Sequence, residues 1–435
     1  MLDKDPSRNT SHIDRRQDVL EGALLRGSIT RRAFVTMSLA LGFLSASRIG
    51  ALAQTLDEIK TNQAARAKAL SGSYDYVVCG AGTAACALVG RLALDSSKSI
   101  LLIEAGGWDD APSILNPSIW FTNIGTERAW SDVTPPFAGI NNRSILEQTG
   151  RVLGGGSSIN AACWVRPFKD DFEFWANEAK DERWGYEHAL SIYRRVENWR
   201  GTPDDRYRGK DGPVWCQPAK DPSPVAPAML EACRALGLPV IEDSNGKREE
   251  TGEGFAYFNH IVRDGQRQNM AKSYLYPVLN KKNVTLLVDT QVDRLLIKNG
   301  KVSGVEFVRD GNRQIVAAEH EVIVCGGGIN TPRLLMLSGI GDEKHLRSVG
   351  IEPVVHSPEV GKNFQDHILH RGCLWEAQKK VELRNSGAEV LGYLKSDPSL
   401  NRPDISVVQV ESPITTEVIS KKYSRHQRAG RSVQL

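Results

Sequence analysis

Two short stretches of the chain carry residue types that suit phosphate chemistry. Gly80-Ala81-Gly82-Thr83-Ala84-Ala85 supplies a turn of small residues, and Glu104 follows about twenty positions later. In such a turn Gly80 permits the sharp change of direction, and Gly82 lets bare backbone approach a pyrophosphate. Ala85 takes the third small position, where a following helix packs on the preceding strand. Thr83 and Ala84 then open a helix whose N-terminus faces the phosphate, and Glu104 is placed to accept hydrogen bonds from an adenosine ribose. A glycine turn alone is equally an ordinary tight turn; the added acid is what points to a dinucleotide. Asp366-His367 is a second polar pair that invites a catalytic reading, but a role in holding its loop is the stronger expectation.

The elements needed to position these groups are legible around them. Tyr74 to Cys79 reads as a buried strand, Cys86 to Leu94 as a helix, and Ser99 to Ile103 as a second buried strand ending at Glu104. Asn283 to Val288 and Glu321 to Cys325 read as further apolar strands, and Thr331-Pro332 as the start of a helix.

Composition narrows the class. The chain has 435 residues, 40% hydrophobic and 25% charged, enough for two cores. A net charge of +3, with basic and acidic residues intermixed, gives no patch that tracks nucleic acid. The seven cysteines, at 79, 86, 163, 216, 233, 325 and 373, form no CxxC pair and imply no metal site; most are read as small buried residues. Near the start, Arg31-Arg32 precedes an apolar run of roughly 13 residues and the small-residue sequence Ala51-Leu52-Ala53, the order of a twin-arginine export signal. The run is too short for a stable membrane span. Residues 1–53 are therefore expected to be a leader, and the product to be exported, folded, to the periplasm.

Two longer segments carry a family resemblance. Gly150-Arg151-Val152-Leu153-Gly154-Gly155-Gly156-Ser157-Ser158-Ile159-Asn160 is followed by Trp164 and Pro167. Gly327-Gly328-Ile329-Asn330-Thr331-Pro332 runs on to Gly341, and Val360-Gly361-Lys362-Asn363-Phe364-Gln365-Asp366-His367 comes later. The chain resembles the glucose-methanol-choline (GMC) oxidoreductases, of choline dehydrogenase-like type. The resemblance implies an α/β fold, with an FAD-binding Rossmann-like domain interleaved with an α+β substrate domain built on an antiparallel sheet. It implies FAD domain pieces at 74–160 and 260–370 and substrate domain pieces at 161–259 and 373–420. It also implies cofactor contacts at Arg151, Gly155, Ser158 and Asn160 and a backbone contact to adenine at Val292. Ile159 stands where some members attach flavin through histidine, so the FAD is expected to be non-covalent.

The activity so implied is oxidation of an alcohol CH–OH group, with hydride passing to flavin N5 and electrons passing on to a quinone or cytochrome. Beyond Arg371 the match thins to Pro403-Asp404-Ile405 and fades before the family's catalytic histidine segment, so no catalytic residue is assigned. The basic stretch 421–435 lacks helix or strand periodicity and reads as an atypical tail on a truncated chain. Two other functions follow from that reading: an inactive FAD-binding remnant, or a non-redox enzyme resembling the hydroxynitrile lyases.

Overall fold

The computed structural model describes residues 56–369, 373–376, 381–411 and 432–434. The leader read at 1–53 and all of the tail but Ser432–Gln434 lie outside the described residues.

A six-stranded sheet organises the first layer. Its strands are β1 (Ser73–Cys79), β2 (Ile100–Ile103), β3 (Val284–Leu287), β4 (Gln291–Lys298), β5 (Lys301–Arg309) and β6 (Asn312–Val324), in the order β3-β2-β1-β6-β5-β4. The first four in that order are mutually parallel, and β5 and β4 continue antiparallel. Every side chain of β2 is buried, as a strand covered on both faces requires. Alternation splits its payload: Ile100 and Leu102 join one core, while Leu101 and Ile103 join the other with Val77 and Cys79. Helix α1 (Thr83–Leu92) lays Ala85, Cys86 and Val89 on the first core. These are neighbours on one helical face.

Two elements depart from expectation. Strand β6 begins nine residues before Glu321, because Ala317 pairs on both sides, with Gly304 of β5 and with Ser73 of β1. Its first half belongs to the antiparallel hairpin and its second half to the parallel core. Helix α2 (Gly327–Leu337) starts ahead of Thr331 and carries Pro332 inside it. Proline there withholds an N–H from the Gly328 carbonyl, which bears on the site below.

The second layer is antiparallel, with strands Leu374–Glu376, Ser432–Gln434, Ile405–Val410, Ala388–Leu394 and Gly254–Tyr257 in spatial order. Ser432–Gln434 therefore forms a strand within the stretch read as aperiodic. Three residues paired through backbone alone leave no pattern for side-chain alternation to reveal. Four of the seven cysteines are fully buried, Cys79, Cys86, Cys216 and Cys233, and all seven are free thiols. Among the described residues no helix is long and apolar enough to cross a membrane.

A buried ionic network lies around a smaller sheet holding Cys163–Trp164, Glu197–Trp199, Val214–Pro218 and Asn259–His260. Arg166 donates to Glu197 at 2.9 Å and to Glu249 at 3.3 Å, and all three side chains are fully buried. Arg208 donates to the other Glu197 oxygen at 2.7 Å and to Asp243 at 2.9 Å, and its guanidinium lies 3.6 Å from the Trp199 ring centre. Trp164 Nε1 and the Gly209 amide also donate to Glu197. Glu197 is thus the shared acceptor of two buried arginines.

Candidate functional site

Strand β1 ends at Cys79 and the chain turns at Gly80, whose φ is +97°. A Cβ there would sit 2.6 Å from the Cys325 carbonyl oxygen at the end of β6, so both conformation and space demand glycine. Glu104, at the end of β2, clamps the turn. Its Oε2 accepts from the Ala81 amide at 2.8 Å and its Oε1 from the Gly106 amide at 2.9 Å. Burial pushes the Glu104 carboxyl up to about 7, against the pull of the two amides and of Arg151.

The second glycine segment meets the first. Gly155 has φ +56°, and a Cβ on it would lie 2.7 Å from Gly82 Cα. The two loops therefore touch backbone to backbone. Beside them opens a cavity of about 770 Å³ at the C-terminal ends of β1, β2 and β6, where open α/β sheets bind ligands. Residues 326–331 wall its other side. A Cβ added at Gly156 or Gly328 would meet no atom within 4 Å, so these glycines leave open space that a flat ligand needs. The N-terminus of α1, uncapped by any side chain, keeps its first amides for an anion. The cavity volume, acid, bare backbone and free helix end together fit a dinucleotide.

Gly80, Gly82, Thr83, Ala84, Glu104, Gly155, Asn160 and Val292 all line this cavity. Arg151 and Ser158 are not among its lining residues. Ser158 is fully buried; its hydroxyl donates to the Leu153 carbonyl at 2.6 Å and accepts from Asn269 Nδ2 at 2.8 Å. The Arg151 guanidinium lies 5.0 Å from the ring centre of Trp130, which does line the cavity. His367 is exposed and stands outside the lining, and among the described residues no histidine contributes to it.

Sequence reasoning missed what holds the second glycine loop in place. Arg267 is fully buried and spends its donors on carbonyl groups. It bonds Ile114 O at 3.0 Å, Ser157 O at 3.2 Å, and Asn160 at its side chain (2.8 Å) and its backbone (2.6 Å). Asn269 adds a bond to buried Asp109 at 2.6 Å, and Tyr276 donates to the same carboxylate. Arg267 stands in the turn sequence Gly265-Gln266-Arg267, where nothing local in the sequence identifies its distant partners. Arg267→Lys keeps the charge and loses the fork, leaving buried carbonyls unpaired. Thermal unfolding should show a loss of about 1–3 kcal/mol, and a melting curve unchanged from the parent would remove Arg267 from this role.

Comparison with known proteins agrees with this geometry. Residues 74–369 match the family described as GMC oxidoreductase. The mitochondrial choline dehydrogenase of Homo sapiens is 36% identical over 394 residues, covering 82% of this chain and 66% of that protein. The oxygen-dependent choline dehydrogenase of Rhizobium etli is 35% identical over 355 residues, covering 76% and 64%. This chain thus spans slightly less than two thirds of the length of either relative. The crystal structure of pyridoxine 4-oxidase from Mesorbium loti superposes with a TM-score of 0.76 at 32% identity, covering 83% of this chain and 70% of that one. With two glycine segments converging on one cavity inside the matched region, the chain belongs to the GMC oxidoreductase family.

Proposed function

We propose that this chain binds FAD non-covalently in the cavity and serves oxidation of the CH–OH group of a small alcohol. The observation that carries the reading is the meeting of Gly82, Gly155 and residues 326–331 around one cavity closed by Glu104. When bound, FAD supplies the hydride acceptor. The chain's own residues hold and orient it. Gly82 and the first amides of α1 take the pyrophosphate, Glu104 accepts from ribose hydroxyls, and Val292 lies at the adenine end. Gly155, Gly156 and Asn160 give bare backbone and an amide at the ring end. Ile159, which lines the cavity, offers no nucleophile for a covalent link.

A visible absorption spectrum of the purified chain tests this, taken before and after anaerobic addition of choline, pyridoxine and simple primary alcohols. Flavin bands that bleach support the oxidoreductase. Absence of flavin from a folded sample sinks the reading. A second reading is binding without turnover, in which FAD is held but no alcohol is oxidised; a general base in such a step is worth about 10²–10⁴-fold. Bands that persist with every alcohol support it, and release of cyanide without bleaching would mark a lyase.

The proposal extends to export through Arg31-Arg32 and delivery of electrons to a quinone or cytochrome. Fractionation of cells carrying Arg31→Lys and Arg32→Lys tests the first part; an undiminished periplasmic yield would refute it.

The Glu104 shift adds a pH dependence. Ribose hydroxyls donate to the ionised carboxyl, so FAD binding expels a proton near the folded pKa of about 7. FAD affinity should then rise by roughly tenfold between pH 6 and 8, with Glu104→Gln abolishing the slope. Fluorescence titration at several pH values reads this directly. Without FAD the sign reverses: stability from this group is full below its ordinary 4.5 and declines as pH climbs to about 7.

A further inference from the structure

A second pocket, of about 450 Å³, lies on the outer side of α1 and is lined by Ala87, Arg91, Arg195, Val196 and Tyr274. Arg91 comes from the last turn of α1, and Arg195 from the last turn of the helix Tyr186–Val196. Among the described residues neither guanidinium has a hydrogen-bond or ion-pair partner. By contrast, the arginines at 166, 208 and 267 each bond several acceptors. Two unpaired cations brought into one concavity raise its potential and attract an anion. The partial negative charge of the two helix ends offsets only part of two full charges.

Tyr274 supplies a third donor. Burial pushes its phenol up against the pull of both arginines, so the hydroxyl keeps its proton and can donate. Two guanidinium forks and one hydroxyl, supplied by three separate segments of the chain, offer more donors than the two oxygens of a planar carboxylate take up and suit the several oxygens of a tetrahedral anion. Arg91 stands at the opposite end of α1 from the glycine turn. Ten residues of helix put the pocket about 15 Å from the phosphate-binding end.

We propose that Arg91, Arg195 and Tyr274 form a binding site for a phosphate group, separate from the dinucleotide cavity and lying between α1 and the helix Tyr186–Val196. An anion seated there joins α1 to the helix Tyr186–Val196, so binding stabilises the assembled chain by mass action.

The test uses the full chain loaded with FAD, so that the dinucleotide cavity takes no phosphate. Thermal unfolding and calorimetric titration are run in inorganic phosphate and in chloride at matched ionic strength. A saturable rise in Tm with phosphate is expected. The double variant Arg91→Gln/Arg195→Gln should lose it while keeping its flavin content. Tyr274→Phe should weaken phosphate binding about five- to tenfold. Glycerol phosphate binding more tightly than inorganic phosphate identifies a phosphomonoester as ligand, and the reverse order identifies free phosphate. No saturable effect beyond chloride, or one that the double variant retains, would overturn the site.

Discussion

Glu197→Ala should be a severely damaging substitution in the smaller sheet, lowering stability by about 3–5 kcal/mol. The expectation rests on what the carboxylate leaves behind. Arg166 and Arg208 are both buried and both bonded to it, and its removal strands two desolvated charges at once. Arg166 retains Glu249 at 3.3 Å and Arg208 retains Asp243 at 2.9 Å, which keeps the loss from growing further. The Trp164 indole and the Gly209 amide also lose their acceptor. Denaturant unfolding of the purified variant measures the effect. A loss below about 1 kcal/mol would mean the arginines relax onto their remaining partners. Glu197→Gln, which keeps the shape and one acceptor, should fall between the two.

Gly155→Val should reduce FAD affinity by at least about 100-fold. Gly155 holds φ +56°, and its absent Cβ would lie 2.7 Å from Gly82 Cα. A β-branched residue is strained at positive φ, and relief of the clash must part the two loops that make the cavity floor. The defect is therefore local to binding. Flavin fluorescence titration reads the affinity, and far-UV circular dichroism should stay close to the parent. Gly156→Ala is the companion variant, since its Cβ meets nothing within 4 Å. It should leave unfolding of the FAD-free chain unchanged, so any weakening of FAD binding there reports intrusion on the ligand itself. Parent-like affinity in Gly155→Val would show that the loops tolerate separation.

The parts of this site that could be read in the sequence are those where backbone must be bare. Gly80, Gly155 and Gly327 hold positive φ, and Gly155 packs against the backbone of Gly82; glycine is a residue type with few substitutes in that role. Glu104 was legible because its distance from the turn is set by one helix and one strand. The supports were not. Arg267 meets Asn160 across 107 residues of sequence, and Arg166 meets Glu249 across 83; no local pattern encodes such partners. The start of α2 was misplaced for a related reason. Proline is usual in a first helical turn, but here Pro332 lies within a helix that begins at Gly327. Ser158 was legible as part of a motif, yet its side chain braces the loop from the core side.

The double pairing of Ala317 sets the order of events at the ribosome. Cys79 meets Ile103 of β2 on one side soon after synthesis, but its partner on the other side is Val324, some 245 residues later in translation. At about 5–20 residues per second, β1 waits on the order of tens of seconds before one of its two edges can be covered. Because β6 is shared, its arrival completes the parallel core and fastens the β4–β5 hairpin in one event. The nascent chain thus has a long interval in which an apolar strand edge is open to wrong neighbours, and chaperone occupancy should end abruptly once residue 324 clears the exit tunnel.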